Sequence, residues 1–369
     1  MSINRKKLVR FLGIAALVIV LLFALLIIFT IFHSSSIDKR IAKFEARRKI
    51  PDSENAAIIY DKIVEDANKS AIFSDSNFLK LKDNLEFRKP WKSKDHPETA
   101  EWIKNQQKFI NEVLKASRFE KCYFPIPTNT EEDSLNFIKF ATLLKIAQLI
   151  DYAANNDIAE GEINDAIEKY QFVFKLAEHL YQQPLSVDYM IGRLVESITV
   201  DYLNELTLKT EISEEQLKAI EKIPLQTDDT WQEQSQQLFE GERLFADKRN
   251  NKHAISVDYI SAIFTGHKIL RDSLKERYYK AFLPLLAKKR GNRILIGLRK
   301  YKNQNGQWPE SLEQIKSFVE PIVLIDPQNN SSFVYKRTEN GFTLYSRGPN
   351  NIDEDGKSAK PADDYIIWP

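Results

Sequence analysis

At 369 residues the chain has length for one large or two ordinary domains and ample material for a core. Its 43% hydrophobic and 11% aromatic content excludes a disordered chain, and 53 Lys plus Arg against 52 Asp plus Glu lack the positive field that bulk nucleic-acid binding needs, so no nucleic-acid partner is expected. The single cysteine, Cys122, excludes an internal disulfide and leaves the redox compartment open.

The first element is Phe11 to Phe32, FLGIAALVIVLLFALLIIFTIF, which carries no charge and only Thr30 as a polar side chain. As a helix it would span roughly 33 Å, about the hydrocarbon thickness of a bilayer. The run is longer than a signal-peptide core and ends in FHSSS without an A-x-A-like site. These features predict an uncleaved membrane anchor over 11–32, in contact with lipid, after a cytoplasmic tail over 1–10. Arg5, Lys6, Lys7 and Arg10 precede the run, but Lys39, Arg40, Lys43, Arg47, Arg48 and Lys49 follow it, so the positive-inside rule is close to silent. A short tail and a large following body suit a signal anchor of the inner membrane, with the body outside the cytoplasm. A pilin-type leader does not fit, because the fifth residue after Gly13 is Val18 instead of Glu.

Residues 33–290 read as successive amphipathic helices. Asp52 or Ser53 is positioned to cap a first one, with Ala57, Ile58, Tyr60, Ile63 and Val64 as its apolar stripe. His96-Pro97-Glu98-Thr99 opens another, with Trp102, Ile103, Phe109, Ile110, Val113 and Leu114 on one side, and Pro125 and Pro127 forbid its continuation. Further helices are predicted over 135–154, 165–181, 185–208, 214–222, 231–249 and 267–287. The stretch LIDYAANNDIAEGEINDAIEKYQFVFKLAEHL has the look of a tetratricopeptide-type hairpin turning at Gly161, without a recurring copy. The expected architecture is mainly α: an irregular antiparallel helical bundle.

The texture changes over 291–369. A helix and a Gly turn lead to a short helix at which Ser311 and Gln314 have capping-box spacing. Phe333-Val-Tyr and Phe342-Thr-Leu-Tyr are short strands, and Glu339-Asn340-Gly341 between them is a strong hairpin signal because both turn residues tolerate positive φ. The end is therefore a small α+β module. The order NGQWPESLEQI, DPQNNSSFVY, GFTLYSRGPN and then an acidic loop resembles the C-terminal region of the type II secretion major pseudopilin over roughly 294–369. The chain departs from that family at Gln328-Asn329-Asn330, where Trp-Gly is usual, and in its leader. Asn55-Ala56-Ala57, Lys121-Cys122-Tyr123-Phe124-Pro125, Glu160-Gly161-Glu162 and Gln182-Gln183-Pro184, together with this end, resemble uncharacterised bacterial membrane-anchored proteins. That likeness implies an architecture and no activity.

Asn350, Asn351, Asp353, Asp355, Asp363 and Asp364 offer the oxygen ligands calcium requires, and the pseudopilin likeness implies calcium in the equivalent loop. The alternative is a solvated acidic loop partly neutralised by Lys357 and Lys360. Lys280 to Lys302 holds eight basic residues and no acid, which suits either an acidic lipid or partner surface or a solvated face. His179 lies on an apolar helix and is expected to pack, and Cys122 is expected to be a buried thiol. No HExxH, G-x-S-x-G, P-loop or dinucleotide fingerprint occurs, and no small-molecule substrate is identifiable. The expected function is a membrane-anchored, extracytoplasmic scaffold with protein partners, linked to a secretion or envelope assembly. The alternative is a membrane-tethered hydrolase with its site between helical domain and terminal module.

Overall fold

A computed structural model of the chain describes residues 21, 36–209, 212–251, 267–339 and 341–369. Leu21 apart, the expected tail and anchor over 1–32 lie outside the described residues. Among those described, no helix is long and apolar enough to cross a membrane. The architecture is mainly helical, with a small three-stranded antiparallel sheet at the C-terminal end.

Helix α1 covers residues 36–48. It buries Ile37, Ile41 and Phe44 against Ile126 and Leu244. Helix α2, Ala56–Lys69, starts where Asn55 turns extended and its side chain accepts the Ala57 N–H. Asp52 and Ser53, the expected caps, instead form a 3-10 turn one step earlier. The apolar stripe is confirmed at Ala57, Tyr60, Ile63 and Val64, whereas Ile58 is exposed. Helix α3 is Ser76–Asp83. The single helix expected after His96 is two: α4, Pro97–Asn105, and α5, Gln107–Leu114, divided at Gln106. They bury Trp102, Ile103, Ile110 and Val113.

Helix α6, Thr130–Glu160, begins five residues before the expected Leu135 because the Asn129 side chain accepts the Glu132 N–H. It ends at Gly161, whose φ of 88° is a left-handed cap that costs other residues strain. Helix α7, Ile163–Tyr181, folds back along α6, burying Ala166 and Tyr170 against Ala154 and Ile158. Helix α8, Ser186–Lys209, packs on both, and α9, Glu214–Glu221, carries a capping box of Ser213 and Gln216. Helix α10 is Trp231–Asn251.

Helix α11, His267–Asn305, runs straight through position 290, where the sequence texture changes. At 1.5 Å per residue its 39 residues reach about 58 Å. Its first half meets α10 and α8 through Tyr278, Phe282 and Leu286. Its second half offers Ile294, Leu295 and Leu298 to the C-terminal module.

The expected hairpin forms: β1, Val334–Arg337, pairs antiparallel with β2, Phe342–Ser346, in the register Val334 to Tyr345. A third strand, β3, Tyr365–Trp368, pairs antiparallel with the other side of β2 and was absent from the sequence expectation. Ser311 provides no side-chain cap, and the turn that follows is 3-10 over Leu312–Ile315. Gln314 instead accepts the Glu310 N–H.

Candidate functional site

Three places gather the residues that the sequence marks. The first is the strap 120–124 ahead of Pro125. It runs between α2 and α7 and is bridged once by backbone, where the Ala56 N–H donates to Lys121 O at 3.0 Å. Side-chain amides pair with its other backbone groups. Asn55 donates to Tyr123 O at 3.1 Å and accepts from Tyr123 N at 2.9 Å. Gln183 donates to Cys122 O and accepts from Phe124 N, both at 3.0 Å. Gln182 accepts from Cys122 N at 2.7 Å and donates to Glu120 O at 3.1 Å. Arg48 reaches the same node, donating to Phe124 O and Gln183. The motifs around Asn55, Cys122 and Gln182-Gln183 thus meet and satisfy buried backbone groups that would otherwise be costly. Cys122 is buried, and burial pushes its thiol well above the ordinary range.

His179 sits within this frame, fully buried. Its Nε2 lies 2.9 Å from Phe119 O and its Nδ1 2.9 Å from the Tyr60 hydroxyl. The carbonyl only accepts, so Nε2 carries the proton and Nδ1 accepts from Tyr60. Burial lowers the ring to about 4, which keeps it neutral. Asp151, also buried, approaches the Thr199 hydroxyl at 3.0 Å. Thr199 lies 3.0 Å from Val195 O, to which its hydroxyl donates. Burial raises the Asp151 carboxyl well above the usual range.

The second place is the junction along α11. From Lys288 onward the cations of the basic run meet partners from elsewhere in the fold, whereas Lys280 is 71% exposed and pairs along its own helix. Lys289 Nζ lies 3.2 Å from Glu196 Oε1 on α8, with side chains 3% and 4% exposed. Tyr181 donates to the other Glu196 oxygen at 2.6 Å. Lys288 bridges Asp201 and Ser197 O. Arg290 donates to Thr227 O and Ile325 O, each at 2.8 Å. Arg293 reaches Ile223 O, Arg299 reaches Leu208 O, and Lys300 reaches Glu221. Lys280 pairs with Glu276, and Lys302 lies over Trp308. On the sheet side the contact is apolar: Ile294, Leu295 and Leu298 meet Ile315, Val323, Phe342 and Ile367. A Cβ at Gly291 would stand 2.5 Å from Ile367, and one at Gly297 2.6 Å from Val319. The two parts of the chain are closely apposed here, through one shared helix.

A cavity of about 490 Å³ lies beside this junction, lined by Glu178, Tyr181, Gln182, Glu233, Gln234 and Gln237 among others. Glu196 in its lining is already neutralised by Lys289 and Tyr181.

The third place is the loop between β2 and β3. Lys336 pairs with Asp355 at 2.7 Å and Asp353 at 3.4 Å. Asp353 also accepts from the Tyr345 hydroxyl. Asn350 bonds Glu354, and Asn351 accepts from Ser331. Asp364, 1% exposed, accepts the backbone N–H groups of Glu354 and Gly356 on one oxygen. Its other oxygen and Asp363 Oδ1 are buried without a partner. The six predicted oxygen donors share one loop, but most are engaged by neighbours. Among the described residues no group of three or more His, Cys, Asp or Glu is arranged to hold a metal ion.

The sequence missed Glu196, Asp201 and Glu221 as partners of the basic run, because partners so distant in sequence leave no local signal. No family model, curated protein or solved structure matches the chain.

Proposed function

We propose that the chain is a membrane-anchored scaffold. Residues 11–32 hold it in the inner membrane with the N-terminus in the cytoplasm, and the body works outside. The helical domain, with its tetratricopeptide-like hairpin, is the rigid support. The pseudopilin-like module at 291–369 is the part offered to protein partners of a secretion or envelope assembly. The observation that carries this reading is the junction along α11. A shared helix and close apolar packing, with the cations from Lys288 onward engaged across it, make a stiff arm.

Calcium in the β2–β3 loop accompanies the proposal. Asp363 and Asp364 each hold a buried oxygen without a partner. A divalent cation would supply the missing charge there and order the loop against the sheet.

The test is photo-crosslinking from membranes that carry the full chain. A crosslinker at Ile352, which is 60% exposed in the terminal loop, should trap a discrete protein. One at Leu85, 65% exposed on the helical body, should not trap the same species. Recovery of no protein partner at Ile352 removes the scaffold reading.

A further inference from the structure

The cavity of about 490 Å³ between α7, α8 and the start of α10 has a one-sided supply of hydrogen-bonding groups. Gln237 spends an N–H on Gln182 O, and Gln234 spends one on the Thr230 hydroxyl. Their amide oxygens accept nothing from the described residues. Glu178 gives one oxygen to Lys175 at 3.0 Å and keeps the other. Glu233 is exposed and has no partner among the described residues.

Among the described residues no lysine, arginine or histidine lines this cavity. Lys175 and Lys289, which pair with Glu178 and Glu196 of its wall, have side chains only 10% and 3% exposed. The segment that forms another wall, Ile223 to Glu242, carries Asp228, Asp229, Glu233, Glu240 and Glu242 and no basic residue. A cavity that presents acceptors and negative charge, without a cation of its own, selects a ligand that brings donors and positive charge.

Leu225 and the Tyr181 ring supply an apolar flank, on which methylene groups can lie while a charged head meets the carboxylates. We propose that this cavity binds an alkylammonium group, with the amide oxygens of Gln234 and Gln237 and the carboxylates of Glu178 and Glu233 as its acceptors. A free polyamine and a lysine side chain of a partner share that chemistry. The site needs neither the anchor nor the pseudopilin-like module, and it gives the helical domain a binding role beyond that of a rigid support.

The test is calorimetric titration of the full chain, in uncharged detergent at physiological ionic strength, with spermidine and with Nα-acetyl-lysine methylamide. The same lysine derivative acetylated at Nε is the uncharged control. Both amines, or spermidine alone, should bind saturably, and the control should not. Spermidine alone points to a free polyamine, and comparable binding of the lysine derivative points to a side chain on a partner. Glu233→Gln removes an exposed charge that no described group depends on, and it should weaken binding about tenfold. Glu101→Gln, which removes an exposed carboxylate on α4 outside the lining, should leave binding unchanged. Absence of saturable binding by either amine overturns the proposal. Equal binding of the acetylated control also overturns it, because the cavity then reads shape and not charge. Binding that survives Glu233→Gln, or that falls equally in Glu101→Gln, overturns it as well, since the amine is then held elsewhere or by diffuse surface charge.

Discussion

The Asn55 carboxamide holds both backbone groups of Tyr123, at 3.1 and 2.9 Å, while capping α2 through the Ala57 N–H at 3.0 Å. One buried side chain therefore starts a helix and supplies the strap with the pairing a strand would give. Asn55→Ala removes the cap and leaves Tyr123 groups unpaired, so a loss of about 2–4 kcal/mol is expected. Asp52→Ala and Ser53→Ala, at the positions the sequence pattern favours, should change stability by less than about 0.5 kcal/mol. Denaturant unfolding of the full chain in detergent decides between them.

The helical architecture and the β1–β2 hairpin were legible because both rest on local signals. Apolar residues recur with helical period, and Asn340-Gly341 marks the turn. The remainder depended on contacts distant in sequence. Strand β3 follows a loop rich in Asp and Pro, and only its pairing with β2 makes Tyr365–Trp368 a strand. The run from Lys280 to Lys302 looked like a solvated face because Glu196, Asp201 and Glu221 come from other helices. The oxygen donors of the terminal loop lie close in sequence, but their engagement by Lys336, Tyr345 and Ser331 has no local sign.

The buried Lys289–Glu196 pair carries a directional prediction. Lys289→Met leaves the Glu196 charge buried with only Tyr181 for company, which should cost about 3–5 kcal/mol. Adding Glu196→Gln removes that charge and keeps an acceptor for Tyr181. The double variant should recover most of the loss in the same unfolding measurement. A double variant as unstable as the single would mean that the cost lies in packing.

His179 makes stability depend on pH. The folded ring titrates near 4, whereas an unfolded histidine titrates near 6.5. Between those values the unfolded chain binds more protons, so stability rises with pH across the window. The contribution is complete above about pH 6.5 and declines as pH falls toward 4, by about 3 kcal/mol in all. His179→Gln retains a donor for Phe119 O and an acceptor for Tyr60. Its melting temperature should therefore approach the parent's in slope only outside this window, and an unchanged slope within it refutes the assignment.

Calcium should raise the melting temperature of the full chain at millimolar concentration, relative to chelator, since a ligand that binds only the folded state stabilises it. Asp364→Asn should abolish the shift, because it removes charge from the buried carboxylate with the free oxygen. No shift in the parent discards the calcium proposal and leaves the acidic loop as a set of internal hydrogen bonds.

The last prediction tests the stiffness of the junction. Gly291 leaves room for Ile367 of β3 against α11, and a methyl group there would meet Ile367 Cγ2 at 2.5 Å. Gly291→Ala is favourable for a helix interior by about 1 kcal/mol in propensity. Overpacking of this kind costs about 1–3 kcal/mol, so net destabilisation or displacement of β3 is expected. Ile367→Ala on its own opens a cavity and should also destabilise. Combined, the small side chain at 367 accommodates the methyl at 291, and the double variant should be more stable than the sum of the two losses implies. Crosslinking from Ile352 should weaken in Gly291→Ala and return in the double variant if the module must be held rigidly on α11 to meet its partner. Simple additivity of the two losses would mean that the sheet shifts freely on the helix, and the arm is then not stiff.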